Sequence, residues 1–218
     1  MLRAVLAVAC LVALSGCGAF GDDIIDPIIT IPAEKTLVVV PFKDEDFRDY
    51  CQSPRGADLA LRVSKILEGK AECKVKPIEE VIALFEDKNP RDLSLQEIAD
   101  KVDADYLFLG DVRTWRTQDP GAINLLHGTA VIDVQIFERY TKPEKGQPEP
   151  KNKKGRTVRT AEVSANFPNE YGMGDIGEPA VGHTHEEVDL GLRAVTARRV
   201  AQLMYGHTKE EAHLTQEQ

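Results

Sequence analysis

The run Thr36-Leu37-Val38-Val39-Val40-Pro41-Phe42 has no polar position between Leu37 and Val40. A strand with one face in water alternates apolar and polar residues, so an unbroken β-branched run predicts a strand covered on both faces and ended by proline. Tyr106-Leu107-Phe108-Leu109-Gly110 is a second such run, continuing towards Trp115. Between the two the pattern is helical. Over 56–69, Leu59, Val63, Ile66 and Leu67 recur at i, i+4, i+7 and i+8. A short strand at 73–76 follows, and Pro77 opens a helix with Ile78, Val81, Ile82 and Phe85 on one face until Asn89-Pro90 breaks it. Ser94-Leu95-Gln96-Glu97 has the form of a capping box and restarts a helix with Leu95, Ile98 and Val102 inward.

The second half reads differently. Residues 129–140 alternate as a half-exposed strand, 156–167 form a more polar one, and 141–156, rich in Lys, Pro and Gly, make a projecting hairpin arm. Thr184 and Glu187 cap a last helix. The expected class is α/β with an α+β mixed sheet: a central mixed sheet of about five strands covered by helices, with a C-terminal helix. One domain spans 36–206, preceded by a tether at 17–35 and followed by a polar tail at 207–218.

The beginning of the chain has another purpose. Arg3 supplies a positive start, 4–14 an apolar core and Ser15-Gly16 the small residues before a cut, which makes 1–16 a signal peptide for export. Eleven apolar residues are too few for a membrane-spanning helix, which needs about 20. Leu14-Ser15-Gly16-Cys17 resembles the lipobox of bacterial lipoproteins. The resemblance implies that Cys17 is acylated and becomes the first mature residue, and Gly18 in place of Asp points to the outer membrane, facing the periplasm. Several acyl chains on one cysteine suffice for stable anchoring.

With 27 Lys+Arg against 36 Asp+Glu and a net charge of -9, the chain lacks the basic character of a nucleic-acid binder. In an oxidising compartment Cys51 and Cys73 are either a disulfide or two separate buried thiols. A bridge requires Cys51 to fold back along the intervening helix, because the two Cα atoms must come within about 7 Å.

Val38-Val39-Val40-Pro41-Phe42 and the unit from Ile98 to Val112, with Ala104-Asp105-Tyr106 leading into an apolar strand and Gly110, resemble a family of envelope proteins. The family comprises the amino-terminal domain of TolB, the curli secretion lipoprotein CsgG, the peptidoglycan-synthase activator LpoB and the exopolysaccharide lipoprotein PelC. The resemblance implies a mixed α/β domain and a non-enzymatic role beside other envelope proteins, with self-association open.

Several patterns have chemical readings. Gly172-Met173-Gly174-Asp175-Ile176-Gly177 matches the dinucleotide-binding glycine pattern, but Pro168 and Pro179 flank it and no strand follows, so it reads as a glycine loop and no cofactor is expected. His183 and His185 beside Glu186 and Glu187 suit a metal, yet Thr184 and Glu187 are already explained as a cap, and no metal is expected. Asp44, Glu45, Asp46 and Asp49 follow the first strand, at the sheet edge where α/β proteins bind ligands; the alternative is a solvated acidic loop. Trp115 with Tyr106 and Phe108 is either core or a stacking platform. Lys142, Lys145, Lys151, Lys153, Lys154 and Arg156 make the arm basic against an acidic body. They read either as a surface for a protein partner or anionic lipid, or as a solubilising loop. No G-x-S-x-G elbow, P-loop or H-E-x-x-H is present.

Overall fold

The computed structural model describes residues 24–44, 53–87, 93–118, 126–141, 154–167 and 184–208. In chain order the elements are β1 (Ile24–Ile25), β2 (Thr36–Val39), β3 (Lys43–Asp44), α1 (Pro54–Lys70), β4 (Lys74–Lys76), α2 (Glu79–Asp87), α3 (Leu95–Lys101), β5 (Tyr106–Arg116), β6 (Gly128–Glu138), β7 (Arg156–Phe167), α4 (His185–Ala201), a 3-10 turn (Gln202–Met204) and β8 (His207–Thr208).

Six strands form a mixed sheet in the order β4-β2-β5-β6-β7, with β3 also paired to β5. The two apolar runs lie side by side and parallel, Val38 opposite Leu107 and Val39 opposite Phe108. Leu37 to Val40 and Leu107 to Leu109 are all buried. Their side chains serve two cores. Leu37, Val39 and Phe108 pack with Leu59, Val63 and Leu67 of α1 and Val200 of α4, while Val38, Val40 and Leu107 pack on the other face with Val81, Ile98 and Val102 from the α2–α3 side. Continuous apolar sequence was needed because both faces are covered there.

β5, β6 and β7 run antiparallel, and beyond Leu107, Leu109 and Phe137, which pack towards the α2–α3 side, their second face stays open. Ala130, Ile132, Val134 and Ile136 point into the core, whereas Gln135 is exposed and Asp133 half-buried. On this open side a bulge at Arg113 lets its Nε donate to Asp133 at 2.7 Å.

Phe42 and Gly110 form one packing unit. Phe42 stacks on Phe108 with centroids 6.3 Å apart, and a Cβ at Gly110 would overlap the Phe42 ring. Both capping boxes are formed, Ser94 with Glu97 and Thr184 with Glu187. After α3 the chain turns through Asp103 at φ 47°, with the Ala104 N–H donating to the Ala99 carbonyl at 2.9 Å, a Schellman-type end that delivers Asp105 to the start of β5.

The boundaries expected from sequence need correction at both ends. Residues 24–35 are not tether: Ile29 and Ile31 are core, the Ile29 N–H donates to the Leu203 carbonyl at 2.8 Å, and Ile24–Ile25 pair with His207–Thr208, the first two residues of the expected tail. Alternation over four residues, Ile29 and Ile31 in and Ile28 and Thr30 out, is too short to stand out as a strand pattern.

Candidate functional site

The acidic residues after β2 do not form a ligand loop at Asp44. Asp44 is buried, its Oδ2 accepting from Ser53 Oγ at 2.9 Å and from Arg55 Nη1 at 3.1 Å. Ser53 also caps α1, accepting from the Gly56 N–H at 3.0 Å, so the carboxylate sits against a helix N-terminus that favours negative charge. Glu45, Asp46 and Asp49 lie outside the described residues. The stacking-platform reading also fails. Trp115 donates Nε1–H to Asp189 Oδ1 at 2.7 Å with the Arg55 guanidinium 5.1 Å over its ring, Phe108 is fully buried, and Tyr106 sits at the opposite end of β5. His185 is exposed, with Nδ1 3.1 Å from Thr117 Oγ1. Among the described residues no group of three His, Cys, Asp or Glu is placed to hold a metal, and no helix is long and apolar enough to cross a membrane.

Cys73 is a free thiol, and burial pushes its pKa up. Cys51 lies outside the described residues, as do Cys17, His183 and the glycine stretch 172–177.

The arm is described at its base, and there it meets the body in a groove. The cavity of about 460 Å³ is lined by Lys35, Asp105, Tyr106, Glu138, Arg139 and, from the returning leg, Lys154 and Arg156. A second hollow of about 430 Å³ shares Tyr106, Glu138 and Arg156 and extends the depression along Ile29–Ile31 to Arg159. Both lie where β2 and β5 begin, the edge opposite to the one suggested by the acidic residues. Lys142, Lys145, Lys151 and Lys153 lie outside the described residues.

Each wall has a definable cause. Asp105 is fixed to Thr36, accepting from its amide and its hydroxyl at 2.9 Å each, and Lys35 Nζ adds a contact at 3.3 Å. Burial works to raise the Asp105 pKa, but those donors outweigh it and hold the carboxyl below its usual value. Glu138 accepts from the Tyr106 hydroxyl at 3.1 Å and from Arg156 Nε at 3.0 Å. Desolvation, then the bond to Glu138, pushes the Tyr106 phenol up to about 12, so it remains a neutral donor. Arg139 donates to Asp103 Oδ1 at 3.1 Å. Gln96 of α3 joins the two legs of the arm, its Oε1 accepting from the Tyr140 N–H at 2.9 Å and the Gly155 N–H at 3.1 Å. A Cβ at Gly155 would overlap the Phe137 ring, so only glycine fits.

Lys154 and Arg156 stand out in the sequence as part of the basic arm, whereas Lys35, Arg139 and Gln96 do not. These come from three distant parts of the chain and share no local pattern. Lys35, Arg139, Lys154 and Arg156 thus line the groove with Asp105 and Glu138, and Asp103 at its margin takes one hydrogen bond from Arg139.

No protein-family model matches the chain, and no curated protein matches it. Among solved structures it is similar to the lipoprotein GNA1162 of Neisseria meningitidis, at 14% identity over 61% of this chain and 82% of that one with a TM-score of 0.45. It is also similar to the PelC dodecamer of Paraburkholderia phytofirmans, at 12% identity over 84% and 96% with a TM-score of 0.45. The third is the LpoB C-terminal domain of Salmonella enterica, at 12% identity over 62% and 84% with a TM-score of 0.36. PelC and LpoB are two of the proteins that the strand motifs resemble; the fold itself stands on the strand pairing and packing described above.

Proposed function

We propose that this chain is a bacterial envelope lipoprotein anchored through Cys17 that acts by binding: an accessory or assembly module for a secretion, polysaccharide-export or peptidoglycan-synthesis complex, with self-association as part of that role. The observation that carries the reading is the convergence of Lys154 and Arg156 from the arm with Lys35 and Arg139 around one groove. Charges brought together from separate elements and braced by Gln96 present a defined surface to acidic groups of a partner protein. The lipobox and the family resemblance supply the envelope setting. The engagement of the Asp44 carboxylate with Ser53 and Arg55 weighs against a hydrolytic or ligand-binding role for that loop.

Deleting residues 142–154 and joining Thr141 to Gly155 tests the reading. The melting temperature should change little, because a polar loop tip makes few buried contacts. Partners crosslinked in native membranes should be lost, and with the intact protein their recovery should weaken as salt is raised, since exposed charges are screened within about 8 Å at physiological ionic strength. Recovery of the same partners by both forms at every salt concentration would overturn the role of the arm and groove.

A further inference from the structure

Among the described residues the exposed large apolar side chains are Ile24 (67%), Ile25 (38%), Ile28 (66%) and Leu190 (48%). Three of the four fall within five residues. They are not on a loose end: Ile24 and Ile25 pair with Thr208 and His207, and Ile29 immediately after them is 1% exposed and bonded to the Leu203 carbonyl. With the backbone held on both sides of Ile28, and Ile29 and Ile31 occupying the inward positions, Ile28 cannot turn into the core without displacing one of them. The fold holds these side chains outward, where water is the costliest neighbour for them.

We infer that Ile24, Ile25 and Ile28 dock the domain onto the lipid bilayer, an inference that rests on the proposed acylation of Cys17. Ile24 lies seven residue steps after Cys17. At about 3.4 Å per residue they reach at most about 24 Å, so a chain anchored at Cys17 keeps the isoleucines within one bilayer thickness of the headgroups at all times. That proximity favours lipid over a second copy or another protein as the occupant. The strap formed by residues 24–31 also borders the extension of the groove, through Ile29–Ile31. Docking there would fix the orientation of the domain, which the acyl chains alone leave free. Apolar insertion drives this contact, because Asp26 is also exposed within the strap and offers nothing to anionic headgroups.

The single tryptophan, Trp115, makes a fluorescence test direct. Full-length protein purified from membranes, carrying Ile28→Trp or, as control, Leu190→Trp, is reconstituted into phosphatidylcholine vesicles brominated on their acyl chains. Its N-terminal mass is measured in parallel. After subtraction of the Trp115 signal, the tryptophan at 28 should shift to the blue and lose intensity, while that at 190 should report water. In Ile28→Trp protein that also carries Ile24→Ser and Ile25→Ser the quenching should fall, although the acyl chains still hold the protein on the vesicle. Equal and solvent-like emission at 28 and 190 in acylated protein would overturn the docking and leave the anchor intact. Quenching at 28 in protein without acyl mass would support the docking and refute the anchor. Solvent-like emission without acyl mass would refute both. Both sites are exposed, so the substitutions fit without disturbing the core.

Discussion

Thr36 and Asp105 hold the starts of the two central strands together: the Thr36 amide donates to Asp105 Oδ2 at 2.9 Å, and the Asp105 amide donates to the Thr36 carbonyl at 3.0 Å. The Thr36 hydroxyl completes the link, with contacts of 2.9 Å to the same carboxylate and to the Asp105 amide. This pair registers β2 against β5 and places Asp105 in the groove, so one residue serves both packing and site.

Replacing Asp105 by Ala should destabilise the domain by about 1–3 kcal/mol at neutral pH, the range for a charged hydrogen-bond acceptor whose donors are left behind. Because the carboxyl is held below its usual value, its contribution is present above the unfolded value near 3.9 and is lost as pH falls through the lower folded value. Urea melts of both forms at pH 7 and near pH 3 check this, and the difference between them should shrink on acidification. An unchanged difference would mean that the carboxylate is not what stabilises the pair.

Gln96→Ala removes the acceptor shared by Tyr140 and Gly155. The expected cost is about 1 kcal/mol in stability, together with faster tryptic cleavage within the arm and weaker partner recovery. Gly155→Ala should cost more, because its Cβ has no room beside Phe137. Cleavage rates identical to the parent for Gln96→Ala would show that the clamp does not restrain the arm.

Asp103 adopts φ 47° at the end of α3 while 81% of its side chain is exposed. Asp103→Gly should relieve about 1 kcal/mol of left-handed backbone strain against the loss of ion pairs with Arg139 at 3.1 Å and Lys76 at 3.9 Å, worth about 0–1 kcal/mol at a carboxylate this exposed. A stability equal to or slightly above the parent is expected from thermal melts. A marked loss would mean that the Arg139 pairing counts for more than its exposure suggests.

Cys73 is free and buried, so alkylation of the native protein at neutral pH should be slow at that residue. In the unfolded but unreduced mature chain, Cys51 and Cys73 should both titrate as thiols. A count of zero would establish the bridge between them.

The two-sided burial of Val39 and Phe108 was legible in the sequence, because a strand covered on both faces leaves no polar position in its run. The capping boxes at Ser94 and Thr184 were legible for a similar reason: donor and acceptor lie three residues apart. Lys35, Arg139 and Gln96 were not legible as a site, since each alone is an ordinary polar residue at an element's end.

Sequence alone determined the features whose physics is local: the two-sided central strands, the helix starts, the half-exposed β6 and the lipobox pattern around Cys17. Tertiary structure decided where the polar groups go. Asp44 left the expected ligand edge because Ser53 and Arg55 reach it from α1, and Ile29 joined the core because the end of α4 returns beside it. Contacts of this kind depend on which distant elements the sheet order brings together, and no spacing along the chain encodes that order.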